Sequence, residues 1–327
     1  MEFIVRKADL VRELQYFQQI VERKNTIPIL ANVLMETDGN AVRLLATDIE
    51  VTLRSRCEAA VEKPGAVTLP AKKLYEIVRA LPDGDVRIST DKDGKASTVS
   101  AERFESRMPT MDVADFPTPP AGDVATPTVL PAAPLRQMVS KTQFAITGED
   151  TRYYLNGALF VVRPAAMTMV ATDGHRLALA TATWDGPSKG DEVRAILPRK
   201  TLAELGRLLS DDIETIEYER GENHMFFRLG TRLLVSRMID GQFPAYEKVI
   251  PKGNDKHLVF DRDRLTSAVK RVAILSNDRS RALRFTLDKG KVEVASSSPE
   301  FGEAREPLAV DYLSLIHISE PTRRRGI

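Results

Sequence analysis

Lysine and arginine concentrate in a few short segments of this 327-residue chain. Unneutralised cations in a cluster are the side chains that hold a phosphate backbone without reading base identity. Residues 71–81 carry Lys72, Lys73 and Arg79 against Glu76, and residues 132–146 carry Arg136 and Lys141. Residues 198–209 carry Arg199, Lys200 and Arg207 against Glu204, and residues 261–275 carry Arg262, Arg264, Lys270 and Arg271 against Asp261 and Asp263. Each of these four segments nets +2, whereas 8–24 is neutral, with Arg12, Arg23 and Lys24 against Asp9, Glu13 and Glu22. Together they hold +8 in a chain whose net charge is +1, which leaves −7 for the rest. The total charge alone argues against a nucleic-acid protein. Its distribution argues for one, although solvated helix faces would give the same count.

Other chemistries find less support. His175, His224, His257 and His317 are scattered, and none stands at metal-ligand spacing from another His or from Cys57, so no metal or cofactor is expected. One cysteine forms no intrachain disulfide, which suits a reducing compartment. Phosphoryl transfer would need clustered carboxylates, and the acidic residues are dispersed over turns. No phosphate-binding loop of P-loop spacing and no Gly-x-Ser-x-Gly occurs. An enzyme acting on DNA and a protein scaffold that never touches DNA remain the rival classes. No apolar run reaches the roughly 20 residues of a membrane span, and Met1–Arg6 lacks the layout of a signal peptide, so a cytoplasmic location is expected.

The basic segments lie in a repeat. Five times a short β-branched strand leads into an apolar-periodic helix closed by polar turn residues. Three strands run into proline, at Thr68-Leu69-Pro70, Val129-Leu130-Pro131 and Ile196-Leu197-Pro198, a residue suited to a first helical turn. The outer copies are Phe3-Ile4-Val5 and Leu258-Val259-Phe260, the latter before Asp261, a helix-capping type. Leu74, Ile77, Val78 and Leu81 mark one buried helix face, and Leu202, Leu205, Leu208 and Leu209 another. Pro70, Pro131, Pro198 and Asp261 are 61, 67 and 63 positions apart. Alternating stretches such as 42–45, 157–162 and 291–294 read as antiparallel strands, and Leu45-Ala46-Thr47-Asp48 is echoed by Val170-Ala171-Thr172-Asp173.

The Pro-rich stretch 116–122 separates the first two units from the next two, and Pro251-Lys252-Gly253-Asn254 precedes the fifth. The predicted organisation is domain 1 over 1–124, domain 2 over 125–253 and an incomplete domain 3 over 254–312. Residues 313–327 resemble the translation of a sequencing-library adapter and are read as a non-native tail, the alternative being a divergent native one.

The chain resembles the bacterial DNA polymerase III beta subunit family, the sliding clamps. The stretches that carry the resemblance are Thr26–Asn32, Arg152–Gly157, Val170–Ala178, Asp240–Tyr246 and Ala273–Asn277. It implies an α+β fold of repeated clamp domains, with antiparallel sheets outside and basic helices lining a ring. It implies a non-catalytic processivity factor, a head-to-tail homodimer encircling duplex DNA. Its partners would be the replicative polymerase, the clamp loader, and other polymerases or repair proteins that dock through short linear peptides.

Residue by residue, the resemblance implies DNA contact by Lys24, Arg152, Tyr153, Tyr154, Arg199 and Lys200; a cation beside tyrosines suits phosphate contact and ring stacking. It implies a peptide groove built from Leu155, Thr172, Gly174, His175, Arg176, Leu177, Pro244 and Val249; taken alone, Asp173-Gly174 is a hairpin turn. At the ring junction Arg103 and Phe104 would face Ile274 and Leu275, with Glu300 and Glu303 nearby. The family's third domain continues past the point that residue 312 matches, so incomplete ring closure and partner binding are expected of the chain as written.

Overall fold

The computed structural model describes residues 1–21, 27–118, 127–148, 150–184, 192–210, 212–254, 257–277 and 281–310. It divides into two compact units, 1–243 and 244–327.

Residues 1–243 run through one arrangement twice. The first pass is β1 (Glu2–Arg6), α1 (Lys7–Phe17), β2 (Asn32–Thr37), β3 (Ala41–Thr47), β4 (Val51–Glu58), β5 (Ala60–Lys63), β6 (Ala66–Pro70), α2 (Ala71–Ala80), β7 (Asp85–Thr90), β8 (Ala96–Ala101) and β9 (Phe104–Pro109). The second is β10 (Thr128–Pro131), α3 (Ala132–Thr142), β11 (Gly157–Arg163), β12 (Ala166–Thr172), β13 (Leu177–Thr183), β14 (Val193–Pro198), α4 (Arg199–Leu208), β15 (Thr215–Arg220), β16 (His224–Leu229) and β17 (Arg232–Arg237). The extra strand β5 apart, the passes match one for one.

Every strand pairing is antiparallel. The order β5-β1-β7-β8-β9 makes one sheet and β13-β12-β11-β14 another. An eight-stranded sheet, β10-β15-β16-β17-β4-β3-β2-β6, joins the two passes. Its seam is β17 against β4, with Leu233 opposite Arg54 and Ser236 opposite Val51.

The helices form where the apolar spacing predicts. α2 buries Ala71, Leu74 and Val78, and α4 buries Leu202, Leu205 and Leu208; each such leucine contributes roughly 1.5–3 kcal/mol of transfer free energy. α1 packs on α2, α3 packs on α4, and α1 also meets α4. One core, with Phe3, Phe17, Phe160 and Phe227 among its largest members, runs beneath both passes. Pro70, Pro131 and Pro198 end their strands in extended backbone, ψ 106°, 128° and 150°, as the residue before the helix and not inside its first turn.

The second unit comprises α5 (Arg262–Ala273) and a three-stranded sheet of β18 (Arg284–Asp288), β19 (Lys291–Ser298) and β20 (Gly302–Ala309), in that order. Asp261 caps α5, its Oδ1 accepting from Arg264 N at 2.8 Å. One sequence expectation fails here. Residues 258–260 are not a strand: no described strand pairs with them, and Val259 is 89% exposed. On α5 only Ala268 and Val272 are buried, with Leu265 and Val269 partly so.

Candidate nucleic-acid and peptide site

The site residues of the first unit lie on short connections between regular elements. Tyr153–Leu155 form a single 3₁₀ turn entering β11, where Leu155 is buried and Tyr153 is 56% exposed. The two tyrosine rings meet edge to face, 5.9 Å between centroids. Gly241, at φ +126°, lets the chain pass close: a methyl there would stand 3.4 Å from the Tyr153 ring. The entry to this turn is fixed by Asn156, whose Oδ1 accepts from Asp150 N at 3.0 Å and from the Thr147 hydroxyl.

Arg152 is held before the tyrosines. Its Nε and Nη2 donate to Asp150 Oδ1 and Oδ2 at 3.0 and 2.9 Å. This fork, with the Arg152 backbone amide on the same carboxylate, lowers Asp150 to a pKa of about 2. The guanidinium also lies over the turn between β12 and β13, since a methyl on Gly174 would come within 3.1 Å of Arg152 Nη1.

That turn is built by its own side chains. Thr172 Oγ1 accepts from Gly174 N at 3.1 Å and donates to Arg176 O at 2.8 Å. Asp173 Oδ1 accepts from His175 N and Arg176 N, both at 2.9 Å, and Oδ2 accepts from Arg176 Nε at 3.1 Å. Burial pushes Asp173 upward, but the two amides and the Arg176 charge outweigh it and keep the carboxyl below its usual range. Gly174 takes φ +82°, in the left-handed region. The side chains of His175 and Arg176 are exposed, and Leu177 is half-buried at the start of β13.

Arg199 and Lys200, neighbours at the start of α4, do different things. Arg199 is exposed; its backbone amide donates to Asn156 O at 3.1 Å and its Nη1 reaches toward Gly148. Lys200 is turned inward, where its Nζ ion-pairs with Asp48 and donates to Ile20 O at 3.0 Å. Lys24 lies outside the described residues. The structure thus brings Arg152, Tyr153, Tyr154 and Arg199 to one connected surface with Leu155, Thr172, Gly174 and Leu177, and leaves Lys200 off it.

Helices α2 and α4 and the segment just past α1 border a common cleft in which Lys72, Arg79, Lys200 and Arg207 stand with Glu76 and Glu204. Arg207 pairs with Glu204 at 2.6 Å, and the Arg79 guanidinium lies 5.9 Å from the Tyr75 ring.

In the second unit Pro244 and Val249 flank a 3₁₀ turn, Tyr246–Lys248, whose Tyr246 is buried while Val249 is 68% exposed. Ile274 ends α5 at 76% exposure, with Leu275 half-buried beside it. Glu303 lies on β20, paired with Arg305 at 2.7 Å, and Glu300 sits in the turn before it. Arg103 and Phe104 are exposed where β9 begins, at the outer edge of its sheet.

Sequence reasoning missed three contributors. Neither Asp150 nor Asn156 is among the site residues expected from the sequence, although a carboxylate two positions before an arginine is the available signal. Phe144, exposed and 5.7 Å from the Arg176 guanidinium, read as helix continuation. Cys57 is buried in the core, its thiol pushed up to about 12 by burial, and it offers no nucleophile. Among the described residues no group of three His, Cys, Asp or Glu could hold a metal ion, and no helix is long and apolar enough to cross a membrane.

Comparison with known proteins agrees along the chain. Family models for the DNA polymerase III beta subunit match end to end: the N-terminal domain over 1–120, the central domain over 129–245 and the C-terminal domain over 247–317. The beta sliding clamp of Pseudomonas putida is 38% identical over 314 residues, 95% of this chain and 85% of that protein. That of Escherichia coli K12 is 34% identical over the same coverage. A crystal structure of a DnaN sliding clamp from Pseudomonas aeruginosa bound to griselimycin superimposes with a TM-score of 0.89 at 36% identity, covering 96% of this chain and 85% of that one. A Caulobacter crescentus beta sliding clamp, with PEG bound to a putative beta-motif tethering region, gives 0.86 at 37% identity.

Proposed function

The chain belongs to the DNA polymerase III beta subunit family, and from that membership we infer that it works as a beta sliding clamp. It is a processivity factor of DNA replication and not an enzyme: a dimeric ring that encircles duplex DNA and tethers the polymerase. The observation that carries this reading is the cleft beside α2 and α4, where Lys72, Arg79 and Arg207 stand with Glu76 and Glu204, Lys200 being taken up by Asp48. Such a surface attracts phosphates by counterion release and reads no sequence. Sliding requires that indifference.

The site follows from it. Lys24, Arg152, Tyr153, Tyr154 and Arg199 contact DNA. Leu155, Thr172, Gly174, His175, Arg176, Leu177, Pro244 and Val249 take short linear peptides of polymerases, the clamp loader and repair proteins. The domains fall at 1–124, 125–253 and 254–312, with 313–327 a foreign tail, although the family models begin the last domain earlier, at 247, and carry it to 317; the protein works in the cytoplasm.

The internal repeat supports a specific ring junction. β9 holds the place in the first pass that β17 holds in the second, and β17 is joined edge to edge with β4. By the same correspondence β20 holds the place of β4, so β9 of one copy meets β20 of a second. Arg103, Phe104, Glu300 and Glu303 lie at those two edges, with Ile274 and Leu275 as the apolar partners of Phe104.

The test, on a version whose third domain is completed, is retention on nicked circular DNA after loading, followed by linearising the circle at elevated salt. A clamp stays on circles and slides off ends. Loss from intact circles with salt alone would refute the reading.

A further inference from the structure

The turn 172–176 has a duplicate at 47–51. Thr47 Oγ1 accepts from Ile49 N at 3.0 Å and lies 3.3 Å from Val51 O; Asp48 Oδ1 accepts from Glu50 N at 3.0 Å and Val51 N at 2.6 Å. These are the bonds of Thr172 and Asp173, position for position. The copies differ at the second carboxylate oxygen. In one, Asp173 Oδ2 is engaged by Arg176 of its own turn; in the other, Asp48 Oδ2 is engaged by Lys200 Nζ from the second pass.

Three further contacts gather at that point. Lys200 Nζ donates to Ile20 O beyond the end of α1. Arg237 N donates to Glu50 O at 2.8 Å, and Val51 faces Ser236 across the seam of β4 and β17. The Asp48 side chain is 7% exposed, so losing its cation would strand a buried charge. We propose that Lys200 is a positioning residue: its ammonium clips the 47–51 turn and the end of α1 to α4, fixing the two passes against each other, and it does not contact phosphate. Arg199, exposed one residue earlier, is the phosphate contact of that helix end.

The proposal rests on the clamp reading, and one set of measurements separates the two. With the full chain, affinity for a labelled duplex oligonucleotide is followed against salt, and melting is recorded in parallel. The wild-type slope of log affinity on log salt tests the DNA reading alone. Arg199→Gln is expected to lower that slope by about 0.9, one phosphate contact. Lys200→Met is expected to keep the wild-type slope and lower the melting midpoint by about 4 °C or more. Asp48→Asn keeps the Oδ1 acceptor of the turn and is expected to lower the midpoint likewise, with the double variant melting no lower than the worse single one. A slope that falls in Lys200→Met as in Arg199→Gln overturns the proposal, as do additive melting shifts. Should Lys200→Met not fold, Asp48→Asn decides alone: a wild-type midpoint there overturns the clip.

Discussion

Ile49 and Gly174 take the same backbone angle, φ +82°, at the same position of the two duplicate turns. Glycine adopts it freely, whereas a β-branched side chain in the left-handed region is strained by about 1–2 kcal/mol. Ile49 is 53% exposed, so little burial offsets that cost. Ile49→Asn, a residue tolerated in this region, is expected to stabilise the protein by about 0.5–1 kcal/mol. An upward shift of the urea midpoint at unchanged slope would register it; a fall would mean that the isoleucine side chain packs to a purpose.

Gly174→Ala should act oppositely. The methyl meets strain at φ +82° and stands 3.1 Å from Arg152 Nη1. Something must move, and the guanidinium is the softer object. Stability is expected to fall by about 1 kcal/mol and affinity for a polymerase-derived peptide by about tenfold, read by calorimetry; an unchanged affinity would detach Gly174 from the groove.

Asp150 supplies a pH signature. Its folded pKa of about 2 lies below the ordinary aspartate value near 3.9. A depressed carboxyl contributes stability above its unfolded pKa and loses it as pH falls through the folded one, so the Arg152 tie persists at pH 4 and opens toward pH 2. Arg152→Gln should raise the Asp150 titration toward its ordinary value, the backbone amide keeping it somewhat below, seen in its carboxyl carbon shift. A midpoint left near 2 would mean that the backbone amide alone depresses it.

Much of this was legible beforehand. All five helices, the hairpin at Asp173-Gly174 and the recurrence of strand and helix come from period and turn chemistry, which are local. What failed was non-local. Whether Leu258-Val259-Phe260 forms a strand depends on a neighbouring edge to pair with, and no described strand provides one. That Lys200 pairs with Asp48 depends on a carboxylate 152 positions away in sequence, which no window around α4 contains. The seam that joins β17 to β4 is invisible for the same reason.

A second tie across the passes is the buried pair of Glu13 and Arg232, bonded at 2.6 and 2.8 Å, with the guanidinium 4.3 Å from the Tyr16 ring. Burial raises the Glu13 pKa, and Arg232, with Arg12 beside it, more than offsets that, holding it low. Arg232→Met takes from a carboxylate 2% exposed its buried partner, leaving only the half-exposed Arg12 at 3.3 Å, and is expected to cost about 3 kcal/mol. Adding Glu13→Gln should recover part of the loss. A double variant less stable than the single one would contradict the buried-charge account.

The ring junction yields the last prediction. Phe104 is 42% exposed at an open sheet edge, so replacing it disturbs little within one copy. If β9 meets β20 of a second copy, a carboxylate at 104 would be buried against Ile274 and Leu275 and close to Glu300 and Glu303, an apolar loss compounded by like-charge repulsion. Phe104→Asp is therefore expected to weaken self-association about a hundredfold, near 2.7 kcal/mol, with the melting midpoint scarcely changed. The ring has two identical junctions, so both weaken together and the product is a monomer, not an open dimer. Sedimentation at micromolar concentration distinguishes these outcomes. A variant that still sediments as a dimer would move the junction away from Phe104, and with it the correspondence between β9 and β17.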